Sequence, residues 1–137
     1  MNAAPLLDTH AWIWWVDRDP RLGRRFLDAL DELPGETRPA ISDISLWEVA
    51  TLAERGRVRF RISFAEWLQA AAHPRTVQVL SITPAIASEI AALPSSFHRD
   101  PADRVIVATS RALNLPLLTL DRLILRSRLA SRWLPVT

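Results

Sequence analysis

Four acidic residues stand at the ends of predicted strands or in the helices that follow them: Asp8, Glu48, Asp103 and Asp121. None has an obvious partner of opposite charge close by in the sequence. Carboxylates that gather at one point repel, so each raises the pKa of the others. A divalent cation would neutralise them, and oxygen ligands favour Mg²⁺ or Mn²⁺. Such a site suits phosphoryl chemistry, in which the metal activates water and stabilises the leaving oxygen.

Each acid also has a purely structural interpretation. Asp100 and Asp121 suit the N-caps of helices, and Asp103 would complement the helix dipole in the turn that Asp100 begins. Glu48 could close a capping box with Ser45, in a helix that begins three residues later than the pattern first suggests. Otherwise Glu48 lies among apolar and weakly polar neighbours, where burial is costly unless the carboxylate is paired or metal-bound. The local sequence leaves both interpretations open.

The elements that must position these acids alternate between strand and helix. This alternation predicts an α/β fold with a parallel sheet of about four to five strands and helices on both faces. We expect a single domain over residues 1–137, with ligands bound beyond the carboxyl ends of the strands. The predicted strands span residues 5–8, 39–42, 77–82 and 116–120, with an edge strand at 132–136. The predicted helices span residues 9–16, 19–33, 43–55, 63–72, 83–93, 100–115 and 121–129.

Composition excludes several other chemistries. All 17 basic residues are arginine, which removes Schiff bases, P-loops and other lysine-dependent sites. The absence of cysteine removes disulfides and thiolate metal sites. A net charge of +2 leaves nucleic acid open as a partner without favouring it. Because no signal peptide and no apolar run of ~18 residues is recognisable, we expect a soluble cytoplasmic protein.

Basic and aromatic residues offer further contacts. The alternating arginines of residues 55–62 would share one side of an extended segment, as a solvated face or as phosphate contacts. Arg99 and Arg104 flank two of the acids and could either grip a phosphate or offset the negative charge. Trp14 and Trp15 lie on different helix faces, so one of them could anchor a partner. Most tryptophans are predicted to lie in the core: residues 12, 14, 15, 47 and 67.

Three segments resemble PIN-domain ribonucleases, in particular VapC-type toxins of bacterial toxin–antitoxin pairs. They are "LLDTHAWIWW", "ISDISLWEVATLAERGRV" and "HRDPADRVIVATSRALNLPLLTLD", and they follow the family's order and spacing over nearly the whole chain. The resemblance implies a catalytic, metal-binding set of Asp8, Glu48, Asp103 and Asp121. It further implies an accessory acid, Asp100, and hydrogen-bonding supports, Thr119 with Ser42 or Ser45. His98 belongs to the third of these segments and, with Arg104 and Arg99, is a possible RNA-phosphate contact.

The activity implied by this resemblance is Mg²⁺-dependent endonucleolytic cleavage of RNA, often tRNA or ribosomal RNA. It also implies a VapB-like antitoxin that blocks the acids, and assembly as a homodimer or with the antitoxin. Leu52 departs from the pattern, since many relatives carry lysine there, so a contact made by that lysine is not expected.

Two other functions are weighed beside the nuclease. A catalytically inactive PIN-like module would bind RNA or a protein through its arginines. A haloacid-dehalogenase-like phosphatase would use Asp8 as nucleophile. It is disfavoured because His10 stands where its second acid belongs and because the chain has no lysine.

Overall fold

The sheet predicted from the sequence is present, with four parallel strands in the part of the chain that the structure describes. The computed structural model describes residues 4–135, and the strand order is β3-β2-β1-β4. The strands are β1 (Leu6–Leu7), β2 (Ala40–Ser42), β3 (Gln78–Leu80) and β4 (Leu117–Leu118). The α-helices are α1 (Thr9–Val16), α2 (Arg24–Asp31), α3 (Ile44–Glu54), α4 (Phe64–Ala71), α5 (Pro84–Ala92), α6 (Pro101–Leu113) and α7 (Arg122–Ser127).

Helices cover both faces of the sheet because successive side chains of a strand point to opposite sides. Leu7 and Leu118 join one buried cluster, which holds residues of α1, α2, α3 and α4. Leu6 and Leu117 join the other, which holds residues of α5, α6 and α7. All four leucines are at most 1% exposed. Strands β1 and β4 are therefore apolar on both sides, as the continuous apolar runs of the sequence predict.

Capping residues fix where several helices begin, and the predicted starts of these helices are confirmed. The Asp8 side chain accepts a hydrogen bond from a backbone N–H of α1, and Thr83 does the same for α5. Asp100 caps α6, which begins at Pro101 and ends where Asn114 turns left-handed at a φ of 54°. These caps satisfy backbone groups that a helix end leaves unpaired.

Two predicted elements differ in the structure. The single helix predicted for residues 19–33 is broken into a 3₁₀ turn, Pro20–Leu22, and α2. The break falls at Gly23, whose φ of 98° and ψ of 140° lie outside the helical region and suit glycine alone. The predicted edge strand at 132–136 is reduced to one parallel bridge between Leu117 and Arg132, and Val136 lies outside the described residues.

The tryptophans do not all enter the core. Trp12 and Trp67 are buried, but Trp47 is 54% exposed, so its predicted core position is wrong. The reason is that Ser45 and Val49 occupy the buried face of α3, and a residue two positions from each points to the opposite side.

The arginine-rich segment 55–62 forms turns and bends, not an extended strand. Arg57 and Arg59 are exposed, whereas Val58 and Phe60 pack against the core. The alternation therefore places the arginines in solvent. Within residues 4–135, no helix has the length and apolar character needed to cross a membrane.

Candidate active site

The four acids predicted to gather do so beyond the carboxyl ends of the strands. Asp8 directly follows β1, Glu48 lies in the second turn of α3, Asp103 in the first turn of α6, and Asp121 caps α7. All four line one cleft of about 230 Å³. The remaining lining residues are Thr9, His10, Trp14 and Leu120.

Asp8 is the most deeply buried of the acids, with 7% of its surface exposed. One carboxylate oxygen, Oδ1, accepts a hydrogen bond from the Ala11 backbone N–H at 2.9 Å. The other, Oδ2, accepts a hydrogen bond from the Thr119 hydroxyl. The oxygen of the same hydroxyl accepts a hydrogen bond from the Asp121 backbone N–H at 3.0 Å. Thr119 therefore links the acid after β1 to the acid after β4. Burial raises the pKa of Asp8, and the hydrogen bonds from Thr119 and Ala11 only partly oppose this rise.

Asp103 is half-buried and lies against an imidazole. His98 Nε2 is 2.7 Å from Asp103 Oδ2. The backbone N–H of Asp103 donates to Asp100 Oδ1 at 3.0 Å. Burial raises the pKa of Asp103 to about 7, and the nearby carboxylates of Asp100, Asp121 and Glu48 add to the rise. Asp100 thus caps α6, and its charge also acts on the carboxylate one turn further along the helix.

Glu48 is also half-buried, and burial raises its pKa while a hydrogen bond from Thr9 opposes the rise. The Thr9 hydroxyl lies 2.9 Å from the Ser45 hydroxyl, and both residues are buried. The capping-box interpretation of Ser45 and Glu48 is wrong, because α3 already begins at Ile44. Ser45 instead links α3 to the residue that follows Asp8.

Ser42, the other predicted support, lies outside the cleft lining. Its hydroxyl accepts the Ile44 N–H at 3.1 Å and so braces the first turn of α3. Thr9 and Trp14 line the cleft but were not predicted as site residues. For Thr9, the signal available in the sequence was its position directly after Asp8.

The basic residues of the predicted phosphate contact do not line the cleft. Arg104 Nη1 donates to the carbonyl oxygens of Phe97 and His98, at 3.3 and 3.4 Å, and so braces the loop before α6. Arg99 is exposed. Leu52, at the position where lysine was expected by resemblance, packs against the core.

The resulting site is acidic and weakly compensated. Of the described residues that line it, His10 alone is basic, and no arginine is among them. In the described ion pairs, Asp103 is the one cleft acid with a partner, and that partner is His98. Within residues 4–135, no three acidic or imidazole side chains form a ready-made metal cage. The donors are nonetheless oxygen atoms, which suit a hard divalent cation.

Comparison with known proteins agrees with this architecture. The PIN domain model matches residues 6–127. Ribonuclease VapC22 of Mycobacterium tuberculosis (strain ATCC 25618 / H37Rv) is 43% identical over 121 residues, which cover 85% of this chain and 86% of the relative.

Two solved structures share the fold. The structure of VapBC2 from Rickettsia felis, bound to a DNA fragment from its promoter, aligns with a TM-score of 0.70 at 15% identity, covering 93% of this chain and 96% of the other. A toxin–antitoxin complex from Klebsiella pneumoniae aligns with a TM-score of 0.58 at 25% identity, covering 86% and 87%. This chain therefore belongs to the PIN-domain family and, within it, to the VapC-type proteins.

Proposed function

We propose that this protein is a Mg²⁺-dependent endoribonuclease, a VapC-like toxin that cleaves phosphodiester bonds of RNA, with tRNA or ribosomal RNA as the target class. One observation carries the proposal: four carboxylates from four separate elements line one cleft without an arginine among the described lining residues. The ribonuclease name of the relative that is 43% identical supports the same reaction.

The chemistry of the donors supports the proposed metal requirement. Asp8, Glu48, Asp103 and Asp121 would hold Mg²⁺ or Mn²⁺, and burial together with mutual repulsion raises the pKa of three of them. A bound cation offsets the electrostatic repulsion between these carboxylates. When bound, the metal supplies the positive charge that activates water and stabilises the phosphate in the transition state.

The chain's own residues orient this set. The Thr119 hydroxyl is hydrogen-bonded to the Asp8 carboxylate and to the Asp121 backbone N–H, and His98 is hydrogen-bonded to Asp103. Groups that orient metal ligands fix their direction and are needed for tight binding. The protein thus supplies geometry to a reaction that needs no protein nucleophile.

A VapB-like antitoxin is the partner that we propose. The Klebsiella pneumoniae structure that shares 25% identity with this chain is a toxin–antitoxin complex. We further propose that the chain assembles as a homodimer or with this antitoxin, and that the antitoxin covers the acidic cleft.

The test is RNA cleavage by the purified chain, with Mg²⁺ or with EDTA, followed by sequencing of the RNA ends. We expect cleavage that requires Mg²⁺ and that Asp103→Asn lowers by on the order of a thousandfold. The matched control is Asp31→Asn, which removes an acid that lines a different cavity. Equal cleavage by wild type and Asp103→Asn would contradict the proposal. RNA binding without cleavage would instead identify an inactive PIN-like module.

A further inference from the structure

The segment between α3 and α4 concentrates positive charge at the surface. It carries four exposed arginines, which we call the arginine array: Arg55, Arg57, Arg59 and Arg61. With four arginines against one acid, Glu54, residues 54–62 have a net charge of +3, which exceeds the +2 of the whole chain. Among the ion pairs of the described residues, none includes an arginine of the array. The array is therefore available to an anion from outside the chain.

The backbone of the array is fixed at both ends and in the middle. Gly56, with a φ of 67°, turns the chain where α3 ends, and Ser63 caps α4 at the other end. Between them, Val58 and Phe60 pack against the core, and the Phe60 ring stacks on that of buried Trp67 with the centroids 4.3 Å apart. Because the backbone is already ordered, little conformational freedom is lost there when the arginines bind a ligand.

The array begins on the helix that carries one acid of the cleft. Glu48 lines the cleft, and Arg55, at the C-terminal end of α3, follows it by seven residues. Seven residues complete two helical turns to within about 20°, so both residues face the same side, roughly 10 Å apart along the axis. A stacked nucleic-acid strand covers this distance in about three nucleotides, at about 3.4 Å each. A strand that enters the cleft along α3 can therefore reach the array.

We propose that the arginine array binds phosphates of the RNA strand about three nucleotides from the cleaved bond. The inference rests on the proposed nuclease function and adds the surface that retains the substrate. The acids of the cleft repel the RNA backbone, and no arginine is among the described lining residues. Attraction for the rest of the strand must therefore come from outside the cleft. Guanidinium groups suit this role because they donate two parallel hydrogen bonds to a phosphate.

The spacing of the array favours a chain of phosphates over a single anion. The arginines occupy every second position, and the apolar residues between them, Val58 and Phe60, pack against the core. The four guanidinium groups are thus distributed along the segment, where they match repeated charges. Each phosphate that is neutralised releases counterions, so affinity grows with the number of contacts and falls with salt.

The first experiment measures RNA binding in EDTA, so that its result does not depend on cleavage. The probe is a fluorescent oligouridylate of about twenty nucleotides, long enough to reach the array, titrated over a range of KCl concentrations. The array variant replaces all four arginines of the array by glutamine. We expect the slope of log Kd against log salt concentration to fall by about two to three, since each lost phosphate contact removes about 0.7. Its Kd at low salt should rise more than about tenfold.

The matched control removes the same charge elsewhere on the surface. It replaces by glutamine four exposed arginines on α2 and at the larger cavity: Arg24, Arg25, Arg38 and Arg75. The control should keep a slope within about 0.7 of the wild type. An equal loss in both variants, or no loss in the array variant, would overturn the inference. Arg57→Gln combined with Arg59→Gln should show about half the effect and keeps the test valid if the array variant does not fold.

The second experiment measures cleavage with Mg²⁺ of two strands that contain the same cleaved bond. For the long strand, the array variant should raise KM about tenfold and leave kcat unchanged, because the array holds phosphates that do not react. A strand of about four nucleotides is too short to reach the array, so wild type and array variant should cleave it equally. An increase in KM of the same size for both lengths would overturn the inference.

The outcomes separate this inference from the function on which it rests. No Mg²⁺-dependent cleavage of any RNA by the wild type would refute both. Cleavage by the array variant with the KM and salt dependence of the wild type would refute the arginine array alone. An array variant that binds RNA as the control does, but no longer binds a VapB-like antitoxin, would assign the array to the protein partner and so overturn the inference.

Discussion

Two of the concavities in the described part of the molecule lie at opposite ends of its sheet, and the larger of the two is not where the acids gather. The larger, of about 660 Å³, lies next to Pro39, directly before β2 begins. The smaller, of about 230 Å³, lies beyond the carboxyl ends of the strands and holds Asp8, Glu48, Asp103 and Asp121. Volume therefore does not distinguish the candidate active site from the rest of the surface.

Charge compensation does distinguish them. In the larger cavity, Asp31 is paired with Arg18 at 2.6 Å and accepts the Trp15 indole N–H at 3.2 Å, and Arg38 and Arg75 also line the wall. In the smaller cavity, no arginine is found among the described lining residues. A protein that keeps acids together without neutralising them gives up some stability for a site that can bind a cation.

The largest expected effect compares one acid from each cavity. Asp103→Asn keeps the shape of the side chain but removes its charge, so we expect RNA cleavage to fall by on the order of a thousandfold. Asp31→Asn should leave the cleavage rate unchanged. Rates measured with excess Mg²⁺ check both variants. A large loss in Asp31→Asn would mean that the two cavities do not differ as described.

A smaller effect is expected from the hydroxyl that links two acids. Thr119→Val keeps the volume of the side chain but removes the hydrogen bonds to Asp8 and to the Asp121 N–H. We expect Mn²⁺ affinity to fall about ten- to a hundredfold, as for other groups that orient metal ligands. Thr119→Ser, which keeps the hydroxyl, should bind Mn²⁺ nearly as wild type does. Equal affinity in the valine variant would show that this link is not needed.

The pH dependence of stability should also reveal the weakly compensated acids in metal-free protein. The folded pKa of Asp103 is raised from 3.8 to about 7. Between these values the folded state keeps a proton that the unfolded chain has released, so the contribution of Asp103 to the free energy of unfolding falls as pH rises. It is fully present below pH 3.8 and lost by about pH 7.

Thermal melts in EDTA of wild type and Asp103→Asn would measure this contribution as a difference. We expect the stability of the wild type relative to the variant to decline across that range of pH, and added Mn²⁺ to restore it at the upper end. A relative stability of the wild type that increases with pH in EDTA would contradict the assigned direction.

The smallest expected effect is on the free energy of unfolding when the Arg18–Asp31 ion pair beside the larger cavity is removed. The Arg18 and Asp31 side chains are 56% and 39% exposed, so solvent screens their ion pair. Asp31→Asn should therefore lower the free energy of unfolding by less than about 1 kcal/mol, as measured by urea denaturation. A loss several times larger would show that this pair is as important to the fold as a buried network.

Much of the fold could be predicted from local signals. The bounds of α1 agree with the prediction, and the starts of α5 and α6 agree because Thr83 and Asp100 cap them with a proline next in sequence. The break at Gly23 could not be predicted, since the amphipathic pattern continues across it. The exposure of Trp47 depends on which face of α3 the rest of the protein covers, and this is a tertiary property.

The four acids of the candidate site could be predicted from the sequence, but the hydrogen bonds that connect them could not. Strand–helix alternation placed Asp8 and Asp121 at one edge of the sheet, and the resemblance gave the same residues. The contacts of Thr119 with Asp8 and of Thr9 with Ser45 join residues 111 and 36 positions apart, so only the folded chain brings them together. The imidazole beside Asp103 depends on the loop before α6, whose course no sequence pattern specified.

Mn²⁺ binding, followed by electron paramagnetic resonance above about pH 7, tests the central claim most directly. The claim is that the weakly compensated acids of the smaller cavity hold a divalent cation. Wild type and Asp31→Asn should bind Mn²⁺ equally, and Asp103→Asn should bind it at least about tenfold more weakly. Binding of equal strength in wild type and Asp103→Asn, or no binding by the wild type, would contradict the account.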